Sequence, residues 1–191
     1  MTDDTSSEAE VRQLIGEAEE HGRHRRYAAA AQCLERAAAA GDVNDRAQIW
    51  MRAGEMWVED GNRVAAGRCY LQASELLDGP AKIDCMFTCW RAYINGIVRD
   101  EWECGFEWRG DLEEHRDDHA SHDRAIDTYR REATSVLAAI LRIPGTSRSE
   151  VLGRAEQEYV RLKNQGGWGA RRCRAIIDSV NRDNERSHES G

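Results

Sequence analysis

The chain has 191 residues, 32% of them charged, with a formal net charge of −8 at pH 7 and six cysteines. That length fits one domain with a shared core, and the acidic balance argues against nucleic acid as a main partner, since neutralising phosphates takes a concentrated basic face. The short basic clusters at 23–26 and 171–174 read as solvated helix ends. Only two prolines occur, each beside a glycine, and β-branched residues are scarce, which points to an all-α chain.

In chain order, residues 1–6 are polar and acidic and are expected to be disordered. Ser7 and Glu10 have capping-box spacing, and Val11, Leu14, Ile15 and Ala18 form one helical stripe behind them. A second helix is predicted over about 25–40, with Tyr27, Ala30, Leu34 and Ala37 inward. A third and fourth meet at Gly61 and Asn62 and close at Gly79 and Pro80. A fifth helix follows with Ile83, Met86, Phe87, Trp90, Ile94 and Ile97 on its buried side. The stretch 99–124 breaks the pattern, dense in acids and aromatics, so the segment near 99–120 is expected to be irregular. A sixth helix then carries Ile126, Tyr129, Ala133, Val136, Leu137 and Ile140 and stops at Pro144 and Gly145. Ser147 and Glu150 cap a seventh with Leu152, Ala155, Tyr159 and Leu162 inward. Cys173, Ile177 and Val180 mark an eighth, and 183–191 read as a disordered tail. Residues 7–182 are thus expected to form a single helical domain.

The third and fourth helices partly repeat the first two. Ala66, Tyr70 and Ala73 have counterparts 36 positions earlier in Ala30, Leu34 and Ala37, and Trp50 and Gly54 correspond to Leu14 and Ala18. Self-similarity at such a period marks stacked helical hairpins, because one hairpin cannot bury its apolar face alone. The run Trp50, Ala53, Gly54, Trp57, Gly61, Ala66, Tyr70 and Ala73 resembles a tetratricopeptide repeat. In style the chain is closest to the soluble NSF-attachment-protein branch. The resemblance implies a right-handed stack of about four antiparallel helical hairpins and a general tendency to bind protein partners. By the same resemblance, Gln48, Arg52, Glu55 and Glu59 on the free face of the third helix would line an inner groove; a plain solvated face is the alternative.

Chemistry-bearing residues are sparse. His115, His119 and His122 fall at spacings of four and three, and Cys85 and Cys89 share a face of the fifth helix. A zinc site built from both sets is geometrically open. The spacing matches no local zinc signature, however, and the cysteines read as small core residues, so no metal or other cofactor is expected. Trp102 and Trp108, set among acids, either pin a linker to the core or present a binding surface. No phosphate loop, nucleophilic triad order or metalloprotease helix motif occurs. The N-terminus lacks the pattern of a secretion signal and no apolar run has membrane-span length, which leads us to expect a cytoplasmic protein without a membrane partner.

Together these features favour a non-catalytic scaffold or adaptor for a protein or peptide. The alternatives are a metal-binding or metal-sensing helical protein and a small regulator that occludes an enzyme or transcription factor. Trp168, Ile176, Ile177 and Val180 offer an apolar patch on the eighth helix through which a homodimer would form.

Overall fold

In the computed structural model the described residues are 4–40, 45–107 and 116–189, with side-chain surroundings for 8–40, 45–103 and 121–182. Among them the architecture is all-α. Eight helices follow in order: α1 (Asp4–Arg23), α2 (Tyr27–Ala40), α3 (Arg46–Asp60), α4 (Arg63–Glu75), α5 (Gly79–Glu107), α6 (Arg116–Leu141), α7 (Arg148–Asn164) and α8 (Ala170–Glu189). No described helix is long and apolar enough to cross a membrane. The chain divides into two compact units, Met1–Ala92 and Tyr93–Gly191, where the sequence suggests one domain; the division falls within α5.

The first unit is built from neighbour contacts, α1 on α2, α2 on α3 and α3 on α4. Its interior is largely alanine: Ala30, Ala31, Ala37, Ala38, Ala53, Ala66 and Ala73 are fully or almost fully buried with Leu14, Leu34, Trp57 and Tyr70. Small side chains let helix backbones approach, and the aromatics fill what is left. Gly54 shows how close this approach is, since a Cβ there would lie 2.8 Å from the Tyr70 ring. Trp50, expected inside, is only half-buried. The turn between α3 and α4 is set by Gly61, left-handed at φ 89°, and by Asn62, whose side chain accepts from the Ala65 N–H at 3.1 Å.

The second unit interlocks. The C-terminal half of α5 meets α6 where a Cβ on Gly96 would lie 2.9 Å from the Tyr129 ring, meets α7 where Arg161 donates to Asn95, and meets α8 at Gly169 and Arg172. Helices α6, α7 and α8 pack on one another as well. Glu101 accepts from the Gly169 N–H and from Arg172 Nε, both at 2.6 Å, which satisfies the start of α8 with a carboxylate. The buried face of α7 is Val151, Ala155, Glu158 and Leu162. Glu158, 9% exposed, sits where the apolar pattern selects Tyr159, because Arg161 neutralises it. Tyr159 instead lies half out, under the Arg174 guanidinium 4.3 Å from its ring centre.

Four boundaries differ from the sequence reading. Residues 99–107, expected to be irregular, continue α5, and α6 already begins at Arg116. Residues 4–6 belong to α1, and α8 runs on to Glu189 through the segment expected to be disordered. On α8, Ile176, Ile177 and Val180 are buried inside the unit, which removes the apolar patch suggested for a homodimer; Trp168 alone of that set is exposed. The alternation of charges and aromatics near 102 hid the helix because its apolar stripe ends at Ile97, while the backbone bonds carry on without it.

Candidate functional site

Two places on the molecule gather functional side chains. The first lies in the first unit, on α1 and α3. Gln48, Glu55 and Glu59 are exposed on α3, and Arg52 between them reaches back to Glu19 of α1, Nη2 to Oε1 at 3.3 Å. The i, i+3, i+4 spacing of helix faces accounts for the row. Both partners of the ion pair are well exposed, 39% and 59%, so the contact adds little stability. Glu55 and Glu59 make no ion pair among the described residues, and the face is left acidic.

The interior behind that face is closed chemically. Glu35 of α2 accepts from Trp57 Nε1 at 2.6 Å and from Cys69 Sγ at 3.2 Å, tying α2 to α3 and α4. Cys85 Sγ donates to the Tyr70 carbonyl at 3.2 Å and Cys89 Sγ to the Gly67 carbonyl at 3.4 Å. Burial pushes the Cys85 thiol up to about 11, and that of Cys69 higher, with Glu35 adding to the effect. These are core thiols, held protonated and turned to the Glu35 carboxylate or to backbone carbonyls rather than poised as nucleophiles or ligands.

The second place lies in the second unit. Asp100 and Glu103, three apart on α5, share a face with Gly96, and His122 on α6 shares a face with Tyr129. Gly96 stands against Tyr129 and Asp100 against His122, the order of an antiparallel pair. One ligand-type atom from each of Asp100, Glu103 and His122 lies within 4.8 Å of the others. His122 Nδ1 is 3.6 Å from Asp100 Oδ1, beyond hydrogen-bond length. Asp100 Oδ2 is buried without a hydrogen-bond partner. Burial raises the Asp100 carboxyl above its ordinary range, with Glu103 adding to this and His122 and Arg99 opposing it. Arg99 Nε donates to Glu103 Oε1 at 2.7 Å.

Of the metal candidates in the sequence, the structure brings only His122 into this cluster. His115 and the side chain of His119 lie outside the described residues, as does Trp108. Trp102 is on α5, in the second unit, and 50% exposed. Asp100 and Glu103 were missed because the segment beyond Ile97 was not read as helix; once it is, their spacing with Gly96 is the signal. Elsewhere in the second unit, an open groove of about 410 Å³ between α6 and α8 is lined by Arg130, Arg131, Thr134 and Ser179. Its arginines are engaged within α6, Arg130 with Asp127 and Arg131 with Thr128.

No known protein family, curated protein or solved structure matches this chain.

Proposed function

We propose that the chain is a non-catalytic helical scaffold that binds a protein or peptide through the α1–α3 face. The observation that carries this reading is the Arg52–Glu19 contact, which sets α1 beside α3 and joins them into one polar surface. The tetratricopeptide resemblance supports it. In that architecture the first helices of successive hairpins line a groove and the second helices form the outer layer. Here α1 meets α3 through Arg52, while α2 meets α4 through Glu35 and Cys69. On this reading α1–α2 and α3–α4 are two hairpins of a right-handed stack.

The partner segment is basic. Glu55 and Glu59 project from the face without ion pairs among the described residues, and Arg52 is already balanced by Glu19. A Lys/Arg-rich segment laid across them would gain charge-assisted contacts that are partly desolvated in a groove. The test is selection of binding peptides from a random display library, followed by affinity measurement on purified variants. Basic peptides are expected to be enriched, and Arg52→Ala/Glu55→Ala, with unchanged helicity, is expected to bind them at least about tenfold more weakly, a loss on the order of 2 kcal/mol. Selected peptides whose binding survives that double change and depends on Trp102 would overturn the groove in favour of the α5 surface.

A further inference from the structure

We propose that Asp100, Glu103 and His122 form a binding site for one divalent first-row transition-metal ion, a site independent of the α1–α3 face.

The argument begins with the helix pair. Gly96, Asp100 and Glu103 follow one another at i, i+4 and i+7 on α5, and His122, Ile126 and Tyr129 do the same on α6. Where Gly96 meets the Tyr129 ring there is no room for a Cβ, so the two helices run close together. One turn further along α5, that closeness brings two carboxylates and an imidazole together, with ligand-type atoms within 4.8 Å of one another. Side chains serving only each other would close to hydrogen-bond length, yet His122 Nδ1 and Asp100 Oδ1 stand 3.6 Å apart. Ligands held at about 2.0–2.2 Å from a common ion are separated from one another by roughly 3–4 Å. The Asp100–His122 separation falls in that range, and Glu103 approaches it.

The electrostatics agree. Asp100 is 13% exposed and His122 21%, and Asp100 Oδ2 is buried with no hydrogen-bond partner. A buried carboxylate oxygen without a donor is costly unless a cation or a proton reaches it. Arg99 is the nearest competitor, but it engages Glu103 through Oε1 and leaves Oε2 for an ion while fixing the side chain. Two carboxylates and one imidazole are a mixed oxygen and nitrogen set. The imidazole favours zinc, iron or cobalt over magnesium and calcium, and three protein ligands leave at least one position for water or a small ligand.

Cys85, Cys89 and Cys173 do not compete for the ion. The Cys85 and Cys89 thiols are committed to carbonyls in the first unit, and burial holds the Cys173 thiol up at about 12.

Calorimetric titration of the metal-stripped full-length chain with Zn²⁺, Mn²⁺ and Mg²⁺ tests the site, together with thermal unfolding with and without Zn²⁺. One Zn²⁺ per chain is expected, bound more tightly than Mn²⁺ and much more tightly than Mg²⁺, with a raised midpoint of unfolding. Asp100→Asn and His122→Gln should each weaken Zn²⁺ binding at least tenfold and abolish the thermal shift while keeping wild-type helicity by circular dichroism. Cys85→Ser/Cys89→Ser should titrate like wild type. The proposal is overturned by absence of Zn²⁺ binding, by Zn²⁺ binding that Asp100→Asn and His122→Gln leave intact, by its loss in the cysteine variant, or by Mg²⁺ binding as tight as Zn²⁺.

Discussion

The two units solve the same packing problem differently. Both set a glycine of one helix against a tyrosine ring of the next, Gly54 against Tyr70 in the first and Gly96 against Tyr129 in the second. Around that shared device the first unit is an alanine-lined succession of neighbours, with cross-helix polar ties from Glu35, Arg52, Cys85 and Cys89. The second is a cluster in which one half-helix touches three others, tied by Glu101 to Gly169 and Arg172 and by Arg161 to Asn95. Apolar burial makes both units compact, and the polar ties differ in kind: an indole and thiols serve the interior of the first, a partly buried carboxylate with an arginine and a backbone N–H the second. A repeat needs only uniform neighbour contacts, so it can be spelled in small residues; an interlocked cluster of unequal helices needs directional bonds to fix its register.

The largest expected effects test whether the apolar cores are equivalent. Leu34 is 2% exposed and Leu137 fully buried. Leu34→Ala and Leu137→Ala should each cost about 2–5 kcal/mol in urea unfolding. A loss well below that range in one unit alone would show that its core is loose, and the equivalence would fail. The glycine contacts come next. Gly54→Leu and Gly96→Leu should each cost about 2–3 kcal/mol, because even the first added carbon meets a tyrosine ring inside van der Waals distance. If Gly54→Leu were as stable as wild type, the close approach of α3 and α4 would be wrong.

How legible this was follows the same division. In the first unit the sequence marks Leu14, Ala18, Leu34, Ala53, Trp57, Ala66, Tyr70 and Ala73, and all of them are buried. Val11, Ile15, Tyr27, Trp50 and Ile83 depart from the pattern: they keep its apolar spacing but are only half-buried. In the second unit the stripes of α6 and α8 were readable from Ile126, Leu137, Cys173 and Ile177, but two features were not. Glu158 is buried through a salt bridge to Arg161, and hydrophobic periodicity gives a charged residue no credit for its partner. The end of α5 carries Asp100, Glu101 and Glu103, whose roles depend on Gly169, Arg172 and His122, each distant in sequence. Sequence spacing records neighbours on one helix and is silent about ties between helices.

Those ties give the sharper contrast between the units. Glu101→Ala removes two charge-assisted bonds from a carboxylate that is 23% exposed and leaves the start of α8 without its acceptor. The expected loss is about 1.5 kcal/mol. Glu19→Ala, which breaks the exposed pair with Arg52 in the first unit, should cost well under about 1 kcal/mol. Equal losses in a denaturant series would mean that the polar ties do not distinguish the two units.

The smallest effect has the most informative sign. Burial raises the Asp100 carboxyl above its ordinary value, helped by Glu103 and resisted by His122 and Arg99. At pH below the unfolded value the group is protonated in both states and contributes nothing to the pH dependence. As pH rises through the interval between the unfolded and the raised native value, the unfolded chain gives up its proton first. Stability falls across that interval, and the loss is complete above the native value. Asp100→Asn keeps the shape and removes the charge, so without metal it should be no less stable than wild type at pH 7, and the fall across that interval should vanish. Adding Zn²⁺ should reverse the order, since wild type then gains an ion that the variant cannot hold. A variant less stable than wild type at pH 7 in metal-free buffer would mean that the carboxylate is already satisfied in the fold. The Asp100 carboxylate would then have no unmet need for a cation, and the contrast between the two units would weaken at the point where it suggests a ligand.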